Sequence, residues 1–380
     1  MSHLTTIEAK VTAGERLSRE DGLALFESRD LPAVGRMADR VRRQRHGRRT
    51  YYVVNTHVNY TNRCENECPL CAFWAGPEDP CGYLLSVEKI VERIGPDVEA
   101  GAREIHIVGG LHPDVDLDYY LEMIGRLREA YPEVCLQALT AVEVEYAARK
   151  SGLGVGDVLR RLQEAGLTGL AGGGAEIFDP AVRRRLCPRK ISADLWLDVH
   201  RQAHRLGLPS NATMLYGHIE SYAQRVDHLL ALRDLQDETG GFAAFIPLAF
   251  HPEGTRLANL SGPTAWDDLL TMAVSRLLLD NVAHLKAFWI MLGPDVAQVA
   301  LHFGADDLDG TVQHEEITHA AGARTPQCLG VADLIHLIRA AGGEPVERDT
   351  LYREIEPACR QARGLAARRA GLGAPRSAFR

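Results

Sequence analysis

Between residues 50 and 310 the chain alternates a short β-branched or apolar run with a longer helical one about eight times, the expected pattern of a parallel sheet whose strands are joined by crossover helices. Strands are expected near residues 53–58, 105–108, 134–139, 168–171, 211–215, 242–248, 286–291 and, more weakly, 304–308. Eight such units make a closed (β/α)8 barrel, the fold class expected here, and 380 residues leave room for extensions around the roughly 250 that a TIM barrel uses. An open, doubly wound sheet would show the same alternation. The placement of polar and glycine-rich clusters favours the barrel, since nearly every one follows a strand: residues 64–71, 109–114, 140–143, 172–176, 216–220, 251–253 and 306–309. In a barrel those loops converge on one mouth, where active sites are built.

The flanking segments read differently. Residues 1–48 form an amphipathic helical extension, residues 49–330 the barrel, and residues 331–380 a C-terminal helical segment with a poorly ordered basic tail. With 43 basic against 51 acidic residues the net charge is -8, so there is no electrostatic footprint for nucleic acid. The basic runs at 40–49 and 363–380 lack the interleaved aromatics of a stacking platform. No apolar run is long enough to cross a bilayer and the first residues do not resemble a secretory signal, so no membrane partner and a cytoplasmic location are expected. Eight cysteines in such a chain are not a disulfide scaffold.

Three of those cysteines, Cys64, Cys68 and Cys71, fall in one loop just after the first strand, with three residues between the first pair and two between the second. Three thiolates can hold three irons of a 4Fe-4S cube and leave the fourth iron open to a ligand, for which S-adenosylmethionine is the expected candidate. A zinc site would need a fourth ligand, and no second CxxC is present. Cys81 remains an alternative that would close an all-cysteine cluster and make a redox relay.

Other strand ends carry candidate ligand groups. Gly109 and Gly110 can let a ligand approach the backbone, and His112 beside them is placed to titrate at the mouth. Glu176 follows Gly172, Gly173 and Gly174, where it would accept hydrogen bonds from ribose hydroxyls or an ammonium, or else pair with Arg183, Arg184 or Arg185. Asn211, Thr213, Tyr216, His218 and Glu220 surround another strand end, some to contact ligand and some to cap the next helix. His251 should be fixed near the mouth by Pro252, while Lys286, Trp289, Glu315 and His319 are weaker candidates.

The cysteine loop, the Gly109-Gly110-Leu-His-Pro run, Gly172-Gly-Gly-Ala-Glu-Ile-Phe-Asp179 and Asn211-Ala-Thr-Met-Leu-Tyr-Gly-His-Ile-Glu220 together resemble radical S-adenosylmethionine enzymes, and among them those of the futalosine route to menaquinone. The likeness extends over residues 50–330, through Phe245-Ile-Pro-Leu-Ala-Phe-His-Pro252 and Gly304-Ala-Asp-Asp-Leu-Asp-Gly-Thr311. Two positions depart from the wider superfamily: Leu70, where an aromatic residue commonly precedes the third cysteine, and Leu111-His112, where many members carry Glu. Phe73 and Trp74 stand near enough to supply a ring for the adenine.

The resemblance implies a radical SAM barrel with a 4Fe-4S cluster on Cys64, Cys68 and Cys71, S-adenosylmethionine as co-substrate, and flavodoxin or ferredoxin as electron donor. It implies that the 5′-deoxyadenosyl group adds to 3-[(1-carboxyvinyl)oxy]benzoate, with loss of bicarbonate, to give 6-amino-6-deoxyfutalosine. Cofactor-binding roles then fall to Phe73, Gly109, Gly110, Glu176, Thr213 and Tyr216, catalytic roles to His112 and His251, and substrate contacts to His112, Asn211 and His251. Cyclisation of dehypoxanthine futalosine is the alternative reaction, and a non-catalytic iron-sulfur or zinc protein the alternative class.

Overall fold

A computed structural model describes residues 3–355. Its strands are β1 (Arg49–Val53), β2 (Asn55–Val58), β3 (Glu104–Ile107), β4 (Cys135–Ala138), β5 (Ser210–Tyr216), β6 (Phe242–Ala249), β7 (His284–Leu285), β8 (Asp307–Gly310) and β9 (Glu344–Glu347). β1 and β2 form one stave interrupted at Val54. From it, β2 pairs with β3 and β3 with β4, all parallel. Single bridges, Gln137 to Gly169 and Leu170 to Ser210, carry the ring from β4 to β5. β5 pairs with β6 and β6 with β7, a Lys286 to Asp307 bridge reaches β8, and β8 closes on β1. Eight parallel staves therefore close into the expected barrel.

Two staves differ from expectation. The strand expected at 286–291 lies earlier, at His284–Leu285, with a single bridge at Lys286, and Trp289–Leu292 is a helical turn. A short apolar run does not distinguish strand from buried helix by periodicity, and here the Trp289 indole N–H donates to the Gly310 carbonyl at 2.8 Å, which holds the turn under β8. The stave at 168–171 forms bridges only. It presses against β5 so closely that a Cβ on Gly172 would meet the Asn211 carbonyl oxygen at 2.5 Å, a separation only glycine allows.

The sidedness of the strands decides where the core and the cavity lie. Ile105, Ile107, Leu136, Ala138, Ala212 and Met214 face outward and are fully buried under the helices. The alternate positions, Asn55, His57, Glu104, His106, Gln137, Asn211 and Thr213, face into the ring. The interior is thus polar where most barrels are filled with Val, Ile and Leu.

Helices His3–Ala13, Arg19–Phe26 and Leu31–His46 precede the barrel. The third packs against Ala265–Leu278. After the helix Val331–Ala340, in the segment expected to be helical, β9 pairs with the outer side of β1. Arg348 then turns in beneath the strands, where its Nε donates to Asp307 Oδ2 at 2.6 Å, and Thr350 donates to Glu104. The basic tail at 363–380 lies outside the described residues.

Candidate functional site

The loop at residues 59–75 leaves β2 at the C-terminal end of the ring. It is folded on itself by Ala75 N donating to Asn62 O at 2.7 Å and by a turn from Cys71 N to Cys68 O at 3.0 Å. The end of β3 lies directly beneath. A Cβ on Gly110 would collide with the Arg63 carbonyl and stand 2.9 Å from the Cys64 Cβ, so the second glycine sets how closely the loop can seat. Gly109 N donates to Glu143 Oε1, which also accepts from Tyr60 Oη at 2.8 Å, while its other oxygen takes Thr140 N. This buried carboxylate ties the ends of β2, β3 and β4 together.

Cys64, Cys68 and Cys71 all open onto one cavity of about 320 Å³ and none is in a disulfide. Burial pushes the Cys68 thiol up to about 12 and raises Cys71 as well, against the pull of the Lys190 ammonium. Three soft donors in a single loop, partly withdrawn from water, fit a thiolate-ligated cluster. Cys81 is exposed and does not line the cavity, so it is not placed to be the fourth ligand.

Above the 168–171 stave, Gly172, Gly173 and Gly174 line the same cavity, and Glu176 follows with φ at +50°. Burial opposes ionisation of Glu176, but Lys190, at 2.5 Å and itself partly buried, overrides it and holds the carboxyl below its ordinary range. The expected partners among the arginines do other work: Arg183 donates to the backbone carbonyls of Ala175, Ile177 and Ile191. Asn211 and Thr213 rise from β5 into the cavity, and Thr213 Oγ1 donates to Gly172 O at 2.6 Å. Phe73 and His251 line it too, His251 with Nε2 2.9 Å from Met291 O.

Two expected site residues are elsewhere. Tyr216 is fully buried outside the ring and donates to Asp268 at 2.7 Å, beneath the Ala265–Leu278 helix. Strand parity explains it, since 211, 213 and 215 face inward and 216 must face outward. His112 does not line the cavity; its Nδ1 accepts from Asp114 N at 3.0 Å and so caps a turn. Among the other candidates, Lys286 and Glu315 reach the cavity, whereas Trp289, His218, Glu220 and His319 do not. Glu220 is a structural carboxylate, clamped by Arg225 at 2.7 Å and by His218 at 2.6 Å.

Most of the deep part of the cavity is built from residues outside the expected site. His57 and His106 are register partners on β2 and β3 with ring centroids 4.7 Å apart, and Gln137 continues the row on β4. Lys286 pairs with Asp309 at 3.0 Å. The signal was present in Asn55-Thr-His57-Val-Asn59, a period-two run of polar residues in what otherwise reads as an apolar strand.

Residues 58–232 match the Radical SAM superfamily and residues 239–360 the CofH/MqnC C-terminal region. The chain is 46% identical to an aminodeoxyfutalosine synthase of Thermus thermophilus, over 93% of this chain and 96% of that one. It is 44% identical to an aminodeoxyfutalosine synthase of Streptomyces coelicolor, over 91% and 92%. Among solved structures, methylornithine synthase superposes with a TM-score of 0.72 at 19% identity, covering 94% of this chain and 99% of that one, a likeness of fold.

Proposed function

Because the chain belongs to the radical SAM superfamily and, within it, to the aminodeoxyfutalosine synthase family, we propose that it joins the 5′-deoxyadenosyl group of S-adenosylmethionine to 3-[(1-carboxyvinyl)oxy]benzoate with consumption of one water, giving 6-amino-6-deoxyfutalosine, methionine and bicarbonate. The observation that carries this reading is the 46% identity over 93% of this chain and 96% of the relative.

Cys64, Cys68 and Cys71 would hold the 4Fe-4S cluster. When bound, the cluster supplies the electron for cleaving S-adenosylmethionine into methionine and the 5′-deoxyadenosyl radical. The chain's own residues have a positioning task, because addition to a vinyl carbon needs the two carbons in contact before a competing hydrogen atom is found. The glycines at 172 to 174 present backbone on which the nucleoside can lie. Glu176, kept ionised by Lys190, accepts hydrogen bonds from ribose or ammonium. Phe73 offers a ring to the adenine, and Asn211, Thr213 and His251 offer polar contacts on the substrate side.

The cysteine loop is braced by the loop that follows β6. Arg256, in the loop after β6, stacks on Trp74 with its guanidinium 4.7 Å from the ring centroid and donates backbone and side-chain hydrogen bonds to Pro69 O and Glu67 O. Flavodoxin or ferredoxin is the proposed electron donor.

The test offers reduced, cluster-loaded protein S-adenosylmethionine with either 3-[(1-carboxyvinyl)oxy]benzoate or dehypoxanthine futalosine, and reads products by mass spectrometry. Aminodeoxyfutalosine from the first and no reaction of the second is expected. Cyclisation of the second alone overturns the substrate assignment.

A further inference from the structure

The floor of the cavity carries hydrogen-bond donors that the protein does not use. Lys286 is 2% exposed, and its ammonium has one acceptor, Asp309 Oδ1, leaving two N–H bonds aimed at the cavity. His57 Nε2 is buried with no partner at all. An ammonium N–H left without an acceptor costs about 1 to 3 kcal/mol, which an anionic ligand group would recover. Burial, reinforced by His106, holds the His57 imidazole at about 3, and burial holds His106 low as well. Both rings are therefore neutral at neutral pH and do not repel Lys286.

Arg348 lies below this pair, its Nε donating to Asp307 Oδ2 at 2.6 Å and its Nη2 3.8 Å from Asp309 Oδ1. Glu104, one layer lower, has its two oxygens engaged by Asn55 and Thr350. Across the ring from His106, Ile246 and Leu248 of β6 make an apolar wall, continued by Phe288. The floor fits a flat apolar body that ends in an anion.

Resting on the reading of the preceding subsection, we propose that Lys286, flanked by His57 and His106, seats the carboxylate on the aromatic ring of the substrate, with the ring against Ile246 and Leu248 and the enol ether directed toward the cysteine loop. Lys286 thereby selects a benzoate over an aryl group without an anionic end.

The test compares equilibrium binding of two unreactive analogues to cluster-loaded protein in the presence of S-adenosylmethionine. These are 3-(1-carboxyethoxy)benzoate and 2-phenoxypropanoate, which differ in the ring carboxylate alone. The wild-type chain should prefer the first by about 30-fold or more, the range of a charge-assisted pair. In Lys286→Met that preference should fall below about threefold while 2-phenoxypropanoate binds as before. Should Asp309 left alone unfold the single variant, Lys286→Met with Asp309→Asn removes both charges and must show the same collapse. An undiminished preference in the variant, or equal binding of both analogues by the wild type, overturns the assignment. Failure of the functional reading is separate: it would appear as absence of aminodeoxyfutalosine from the unsaturated substrate, whatever the analogues do.

Discussion

Two buried polar clusters lie at opposite ends of the barrel strands, and they differ in how far the protein satisfies its own polar atoms. At the N-terminal end, Asp306 Oδ1 accepts from the Arg276 guanidinium and from Leu285 N at 2.8 Å, and Oδ2 accepts from His284 Nδ1 at 2.6 Å. His46 beside it donates to Ala283 O at 2.9 Å, and Arg276 also serves the carbonyls of Gly304 and Ala283. The ligand atoms of His46, His284 and Asp306 lie within 4.8 Å of one another, yet the carboxylate is already saturated by the chain. At the C-terminal end three thiols are free, His57 Nε2 has no partner and Lys286 has one. Backbone strain reaches the cavity too: Glu176 and Asp309, which line it, carry side chains at positive φ. A closed polar network holds a fold together, whereas an open, strained one awaits ligands.

Substitutions at the two ends should therefore fail in different ways. The largest effect is expected for Cys64→Ala, which should abolish both the cluster's absorbance and product formation while shifting the unfolding midpoint little, because Cys64 is only partly buried. Retained turnover would break the comparison at its upper end. Arg276→Met should do the reverse: it leaves Asp306 buried without its cation, costing about 3 to 5 kcal/mol of stability by denaturant titration, with kcat of the folded fraction unchanged. A variant as stable as the parent would show that the lower network is not structural.

Glu220 sharpens the comparison through pH. Burial works against its ionisation, but the His218 hydrogen bond and the Arg225 charge hold its carboxyl at about 2 in the folded chain, against 4.5 ordinarily. The folded state thus binds fewer protons than the unfolded one in that interval. The stabilisation is complete above pH 4.5 and is lost as pH falls through 2. Glu220→Gln should flatten stability against pH across this window and cost about 2 to 3 kcal/mol at neutral pH. An unchanged acid limb would contradict it. The smallest effect is expected for His112→Gln, with kcat/KM within about twofold of the parent, since the imidazole caps a turn outside the cavity. A hundredfold loss would return His112 to the chemistry.

The barrel was legible because strand and helix periods alternate plainly and because ligand groups gather after strands, which brought Cys64, Gly109, Gly172, Asn211 and His251 to one cavity. Tyr216 was misplaced by reading its proximity to the strand end without counting parity from Asn211. His57, His106 and Gln137 were passed over because a barrel interior is expected to be apolar, although their period-two spacing marks one inward face. Lys190 had no local signal: its role follows from the turn before the Ala193–Arg205 helix folding over Glu176, a contact made in three dimensions alone.

In the proposed reaction the adenosyl group becomes part of the product instead of serving as a hydrogen-atom acceptor. S-adenosylmethionine carrying carbon-13 at C5′, turned over by the reduced enzyme with 3-[(1-carboxyvinyl)oxy]benzoate, tests this directly by nuclear magnetic resonance. The label is expected in aminodeoxyfutalosine, at a carbon newly bonded to the former vinyl carbon. Label recovered as a methyl group in 5′-deoxyadenosine, with no coupled product, would contradict it.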